Sequence, residues 1–317
     1  MKVVFFGSPT AAIPSLRALL DAGHAVVLVV TQPDKPAGRG RKLAPSAVKA
    51  FALGRGIPVI EPPRIRTDET ALERIRTDGP DVNVVVAYGQ IIPRAVHFFP
   101  PHHSVNVHFS LLPRYRGAAP VQWTVLNGDA ESGVTIIELN DRMDEGDILA
   151  QRRVAVGPRE SAPALEARLA ALGAELLVST LARIGEITPI KQDDALATLA
   201  PKIRKEDGRV FWAEKAAAVD RKVLALAERP GVFTAYKGKR VNIVRGRAVE
   251  SAECPLPDAA AVVPGTVLRI GKTGLEVACG AATSYLIEEL RPEGKGVMSA
   301  HAFSLGTKIA PGEVMGI

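Results

Sequence analysis

Apolar runs of about six residues alternate with amphipathic stretches through the first part of the chain. Residues 2–6, 25–30 and 82–87 are almost continuously apolar, as strands buried on both faces of a parallel sheet are. Between them, residues 10–22 place Ile13, Leu16, Leu19 and Leu20 on one side of a helix, with Gly23 where a C-cap belongs. Helices near 45–55 and 68–77 and a short strand at 57–60 continue the alternation. Residues 104–108 read differently: Val105 and Val107 point to one face of a strand, Asn106 and His108 to the other. The pattern then breaks at Pro113 and Gly117, and a helix restarts near 119–126. Strands at 133–138 and 148–156 and a long helix at 162–184 complete a Rossmann-like α/β domain built on an open, mostly parallel sheet.

Periodicity is lost after that helix, and residues 187–205 read as a linker. Beyond it the strands are short and punctuated by glycine, at 209–212, 232–236, 240–247, 263–270, 274–278 and 283–289, with one helix near 214–227. That pattern predicts a small antiparallel OB-like β-barrel. The expected organisation is therefore a catalytic domain over 1–186, a linker over 187–205 and a second domain over 206–317.

Composition adds little to the first domain and more to the second. The chain has 317 residues, 47% hydrophobic and 23% charged, which suits two globular domains. The two cysteines, Cys254 and Cys279, argue against a disulfide framework or a thiolate metal cluster, and buried free thiols are expected. No apolar run reaches the roughly 18 residues of a membrane span, and the N-terminus lacks a signal-peptide pattern. A cytoplasmic, soluble monomer is expected. The net charge is +6, yet residues 201–247 alone hold thirteen Lys and Arg against five Asp and Glu, a net of +8. A basic face on an OB-like barrel suits nucleic acid, and a solvated face is its plainer alternative. The same two readings apply to residues 31–42, where Lys35, Arg39, Arg41 and Lys42 sit among prolines and glycines: a solvated connection, or a mobile arm for phosphates.

Asn106, His108 and Asp144 are the residues that could carry chemistry. An amide and an imidazole two residues apart on one strand face can address the same atom. When an amine attacks a carbonyl, a donor stabilises the oxyanion and an imidazole or carboxylate takes the surplus proton. A structural pair is the competing reading. The turn Gly7-Ser8-Pro9 is not G-x-G-x-x-G, so dinucleotide binding lacks its main support. Four carboxylates crowd residues 141–147, but the twelfth residue from Asp141 is Arg152, which excludes an EF-hand, and no metal is expected.

The motifs Phe6-Gly7-Ser8-Pro9, Gln32-Pro33-Asp34-Lys35-Pro36-Ala37-Gly38-Arg39-Gly40, Val86-Ala87-Tyr88-Gly89, Asn106-Val107-His108, Ser110 to Pro120, Gly133-Val134-Thr135 and Asp144 to Leu149 are similar to those of the folate-dependent formyltransferases. The basic loop, Arg116-Gly117-Ala118-Ala119-Pro120 and the C-terminal barrel resemble the branch of that family acting on tRNA. The resemblance spans the chain. It implies transfer of a formyl group from 10-formyltetrahydrofolate to the α-amino group of methionine on initiator tRNA. It implies that Asn106 and His108 hold the oxyanion while Asp144 manages the proton. Ser110, Leu111, Leu112 and Pro113, with Gln90, Ile91 and Ile92, would line the folate pocket. Lys35, Arg39, Arg41 and Lys42 would meet the acceptor end of the tRNA, and the barrel its stem.

Two positions depart from the family pattern. Phe109 stands where a small residue is common, and its bulk would narrow the pocket. Residues 228–233 replace the usual Asn-Pro-Trp-Pro-Gly-Ala run. A formyltransferase acting on a small amine and a non-catalytic RNA-binding module are the rival readings. The first has no need of the basic loop and basic window, and the second has no need of Asn106, His108 and Asp144.

Overall fold

The computed structural model describes residues 1–37, 42–249 and 262–316. They form two compact units. One comprises Met1–Val121, Ala130–Val156 and Pro163–Pro201, the other Gln122–Asp129, Gly157–Ala162 and Lys202–Ile317.

In the first unit the elements run β1 (Lys2–Gly7), α1 (Ile13–Asp21), β2 (Ala25–Val30), β3 (Lys35–Ala37), β4 (Lys42–Ala44), α2 (Ala47–Leu53), β5 (Val59–Ile60), α3 (Glu69–Asp78), β6 (Val82–Val86), α4 (Arg94–His97), β7 (Ser104–His108), α5 (Pro120–Asn127), β8 (Glu131–Glu138), β9 (Ile148–Ala155) and α6 (Ala162–Leu181). The last residues of α5 and the first of α6 belong to the second unit. Among the described residues, seven strands form one sheet in the order β5-β2-β1-β6-β7-β8-β9. Pairing is parallel from β5 to β7 and antiparallel from β7 to β9. This is the open, mostly parallel sheet that the apolar runs predict, and its centre is fully buried: Val3 to Phe6, Val82, Val84 and Val105 have almost no solvent exposure.

Three devices shape this unit around β7. Gly173 of α6 lets the helix press onto the sheet, since a Cβ there would lie 2.8 Å from Val107 and 3.3 Å from Val134. The Val105–Val107 face of β7 is thus the one under α6, and Asn106 and His108 point away from it. Tyr88, buried after β6, packs edge-on against Phe6 with ring centroids 5.5 Å apart. The third device is the segment that follows α6, where the expected linker departs from a simple connection. Ile190 exchanges backbone hydrogen bonds of 2.8 and 2.9 Å with Ile148. Leu199 bridges in parallel to Arg116, with Arg116 N donating to the Thr198 carbonyl at 2.8 Å and Ala200 N to the Arg116 carbonyl at 2.8 Å. Residues up to Pro201 are therefore part of the first unit.

The second unit adds α7 (Ala216–Leu226), β10 (Val232–Tyr236), β11 (Lys239–Val249), β12 (Val267–Gly271), β13 (Gly274–Ala278), β14 (Ser284–Pro292), β15 (Met298–Ser299) and α8 (Ala300–Thr307). Its described strands form an antiparallel sheet in the order β10-β11-β14-β13-β12, with β15 paired to β14. The strand expected at 209–212 is absent from it: only Arg209 bridges, in parallel, to Phe233. Trp212 is buried instead, its indole N–H donating to Thr234 Oγ1 at 3.0 Å. β15 and α8 have no counterpart in the periodicity reading. Cys279 is free and buried, and Cys254 lies outside the described residues.

Candidate active site

β7 delivers Asn106 and His108 at its C-terminal end, and the loop between β8 and β9 brings Asp144 to them. Asn106 Nδ2 and His108 Nδ1 lie 3.5 and 3.6 Å from the same carboxylate oxygen, Oδ1 of Asp144. The other oxygen accepts a 2.8 Å hydrogen bond from Gly117 N. All three side chains are shielded, with 9% exposure at Asn106, 6% at His108 and 14% at Asp144. His108 Nε2 is 2.9 Å from the Tyr115 carbonyl. A carbonyl only accepts, so Nε2 carries a proton and Nδ1 is the nitrogen left to face Asp144.

Holding Asp144 there requires unusual backbone. Asp144 has φ 55, a left-handed conformation that costs a non-glycine residue about 1–3 kcal/mol and persists only where its surroundings enforce it. Tyr115 (φ 63) and Gly117 (φ 127) make the facing loop equally irregular. The enforcement comes from both sides of the Asp144 loop. Asp141 accepts from Arg94 Nη1 at 2.7 Å and contacts His97 Nε2 at 3.2 Å. Burial holds the pKa of His97 below the ordinary imidazole value, against the opposing pull of Asp141. Gly146 lies so close to the Glu138 carbonyl that a Cβ would overlap it. Gln192, buried in the expected linker, donates to the Asp144 and Gly146 carbonyls at 2.8 and 2.7 Å. Its Oε1 accepts from Arg116 at 3.0 and 2.9 Å, and Arg116 also reaches Asp194 at 2.8 Å. Arg116 stands in the Arg116-Gly117-Ala118-Ala119-Pro120 motif, whereas no pattern singles out Gln192. A glutamine in an aperiodic stretch gives no period to read, and only its burial reveals it.

Three of the four carboxylates of this loop have different principal partners: Asp141 meets Arg94 and His97, Glu145 meets Arg142 at 3.2 Å and Arg116 at 3.8 Å, and Asp144 meets the β7 pair. Among the described residues no cluster of His, Cys, Asp or Glu is arranged to hold a metal.

The residues expected to line a folate pocket divide. Ser110, Leu111, Leu112 and Pro113 follow directly on β7. Ser110 Oγ donates to the Arg114 carbonyl at 2.6 Å, and Thr135 Oγ1 donates to the Ser110 carbonyl at 2.7 Å and accepts from Leu112 N at 3.1 Å. Gln151 donates to the Leu112 carbonyl at 2.9 Å, so the loop is fixed from β8 and β9. Gln90 has its amide engaged elsewhere, accepting from Ile65 N at 3.0 Å and donating to the Pro62 carbonyl at 3.1 Å. Ile92 belongs to the sheet core, and of the three only Ile91 is broadly exposed, at 59%. Gln90 and Ile92 therefore shape the loop while Ile91 presents its surface. Phe109 is buried, with Gly173 of α6 beside its ring, so its bulk fills the space under the helix where a narrowed pocket was expected.

The basic loop is a hairpin at its base, β3 pairing with β4 from Lys35↔Ala44 to Ala37↔Lys42. Lys35 Nζ bonds Gln32 Oε1, and Gln32 Nε2 donates to the Tyr88 carbonyl at 2.7 Å, tying the hairpin to the loop after β6. Arg39 and Arg41, and the side chain of Lys42, lie outside the described residues. In the second unit part of the basic window is neutralised locally: Arg245 pairs with Glu288 and Glu289, and Lys237 with Glu313. Phe211 remains 53% exposed between the cations of Arg209 and Lys222, at 5.4 and 5.5 Å from its ring centroid.

The chain is similar to known proteins over its length. A family profile described as "Formyl transferase" matches residues 1–181, and one described as "Formyl transferase, C-terminal domain" matches residues 202–308. The methionyl-tRNA formyltransferase of Citrifermentans bemidjiense is 43% identical over 318 aligned residues, covering 100% of this chain and 96% of the relative. That of Myxococcus xanthus is 43% identical, covering 98% of this chain and 96% of the relative. Among solved structures, an N-formyltransferase from Helicobacter canadensis in complex with folinic acid and dTDP-3-aminofucose shares the fold. Its TM-score is 0.65 at 18% identity, over 90% of this chain and 98% of that one.

Proposed function

This chain belongs to the formyl transferase family, and we propose that it transfers the formyl group of 10-formyltetrahydrofolate to the α-amino group of methionyl initiator tRNA. The observation that carries the reading is the convergence of Asn106 and His108 on one oxygen of a carboxylate fixed by Gly117 N. Its support on the substrate side is full-length similarity to relatives named for methionyl-tRNA, together with the lysines and arginines of the loop at 31–42 and of the window at 201–247.

In this mechanism the neutral amine of the methionyl group attacks the formyl carbon. Negative charge moves to the formyl oxygen, where the Asn106 amide N–H donates to it, a contribution of about 3–4 kcal/mol for one well-placed donor. The ammonium formed at the attacking nitrogen gives its proton to the Asp144 carboxylate or to Nδ1 of His108, which lie 3.6 Å apart. An imidazolium so formed adds charge beside the oxyanion. The tetrahedral centre collapses as the bond to N10 of the folate breaks, and the proton passes to N10, leaving tetrahydrofolate and the formylated amine. Burial of the triad keeps water from competing as nucleophile and strengthens each of these interactions. Ser110 to Pro113 and Ile91 would border the folate. Lys35, Arg39, Arg41 and Lys42 would engage the acceptor end of the tRNA. A cytoplasmic monomer with a catalytic domain and an OB-like RNA-binding domain completes the reading, and no described helix is long and apolar enough to cross a membrane.

The test supplies 10-formyltetrahydrofolate with methionyl initiator tRNA, free methionine or an amino sugar nucleotide and follows formyl transfer. Turnover on the tRNA is expected, and turnover confined to a small amine would overturn the tRNA assignment. Arg39→Ala should lose far more activity on the tRNA than folate affinity. Equal losses would move that loop into the folate site.

A further inference from the structure

We infer that Gln192, held by Arg116, is a positioning residue for formyl transfer: it fixes the loop that presents Asp144. The inference rests on the proposed role of Asp144. Gln192 lies in a stretch without secondary structure, yet it is 5% exposed and every hydrogen-bonding group of its amide is used. Nε2 donates to the carbonyls of Asp144 and Gly146, at 2.8 and 2.7 Å, and Oε1 accepts two hydrogen bonds from the Arg116 guanidinium. The orientation of the amide is unambiguous: turned over, it would set oxygen against two carbonyl oxygens and NH2 against a cation.

The two carbonyls flank a residue whose φ of 55 does not persist unaided. On its far side the loop is stopped by the Glu138 carbonyl beside Gly146. Gln192 therefore closes the only hydrogen-bonded clamp that the described residues place on the Asp144 and Gly146 carbonyls. Arg116 completes the connection. Its side chain orients Gln192, while the chain on either side of it holds the other two members, the Tyr115 carbonyl at His108 and Gly117 N at Asp144. One buried pair thus spans both loops that fix the reacting groups relative to each other, and a misplacement of the order of 1 Å there suffices for about a 10²-fold rate loss.

The test is a double-mutant cycle on the full chain, reading kcat and KM for both substrates with thermal melts alongside. Gln192→Ala should lower kcat by about 10²-fold and leave each KM within about twofold. Gln192→Glu keeps the volume and the contact with Arg116 but sets a carboxylate oxygen against the two carbonyls, so it should be no more active than Gln192→Ala. Because Gln192 acts through Asp144, the Asp144→Asn/Gln192→Ala double variant should match Asp144→Asn alone within about twofold. Additive losses, or a loss confined to KM, would overturn the inference and leave Gln192 a purely structural residue. Should Gln192→Ala melt below the assay temperature, the isosteric Gln192→Glu carries the same cycle. Wild-type kcat in Asp144→Asn would instead remove the proposed role of Asp144 itself.

Discussion

Gly117→Ala tests the geometry of the site through a single methyl group. Gly117 has φ 127, and a Cβ built there lies 2.6 Å from the Ala200 carbonyl oxygen and 3.1 Å from its carbon. Both neighbours are backbone, held by the Ala200 N to Arg116 and Ala119 N to Ala200 hydrogen bonds, so neither can swing aside. Strain at such a φ costs about 1–3 kcal/mol. The shift needed to relieve the contact also strains the 2.8 Å bond to Asp144, and a hydrogen bond to a charged group is worth about 1.5–3 kcal/mol. Together these give a destabilisation of roughly 2.5–6 kcal/mol, or a fall in melting temperature of about 5–24 °C for a unit of this size. Gly23→Ala is the control: φ is 77 there, but nothing lies within 4 Å of the added Cβ, so only the left-handed penalty of about 1–2 kcal/mol remains. Thermal melts of both variants, with formyl-transfer rates for Gly117→Ala, measure the difference. If the two alanines lower the melting temperature equally, the close approach of Ala200 to the catalytic loop is wrong.

His108→Ala is expected to abolish transfer while tRNA affinity, measured by filter binding, stays within about twofold; transfer at a near-wild-type rate would remove His108 from the mechanism. Glu313 accepts from Lys237, Ala310 N and Tyr236, which lower its pKa to about 2. A depressed carboxylate stabilises the fold above its ordinary range, and that stabilisation is lost as pH falls towards about 2. Glu313→Gln should flatten the acid limb of stability, read as urea midpoint against pH below about 4.5, and an unchanged slope would contradict the contact set. Burial pushes the Cys279 thiol up to about 12, so iodoacetamide at pH 8 should label it only in denaturant, as peptide mapping would show; native labelling would refute its burial.

The sheet was legible because its signals are local and repeated. Buried parallel strands are apolar throughout, and the alternation in Val105-Asn106-Val107-His108 puts two polar side chains on one face whatever surrounds them. What escaped pattern reading is held by backbone. Residues 187–201 pair through main-chain groups with β9 and with Arg116, and main-chain pairing leaves no period in the side chains. The hydrogen bonds of the Gln90 amide to Ile65 N and the Pro62 carbonyl are likewise invisible in the sequence, because both partners are backbone groups far along the chain. The basic residues read correctly as a local excess, yet sequence did not reveal that Arg245 and Lys237 have carboxylate partners.

The path of residues 187–201 changes where this chain can be divided. A fragment ending at 186 would keep the seven-stranded sheet and the side chains of Asn106, His108 and Asp144, but would lack Gln192 and the Thr198 and Ala200 contacts. For exchange of the C-terminal segment, a cut after Pro201 keeps residues 187–201 with the unit they belong to, even though composition changes earlier. Synthesis carries the same requirement. A nascent chain has every reacting group once Asp144 has emerged, but the seat for that carboxylate is complete only when Ala200 has followed.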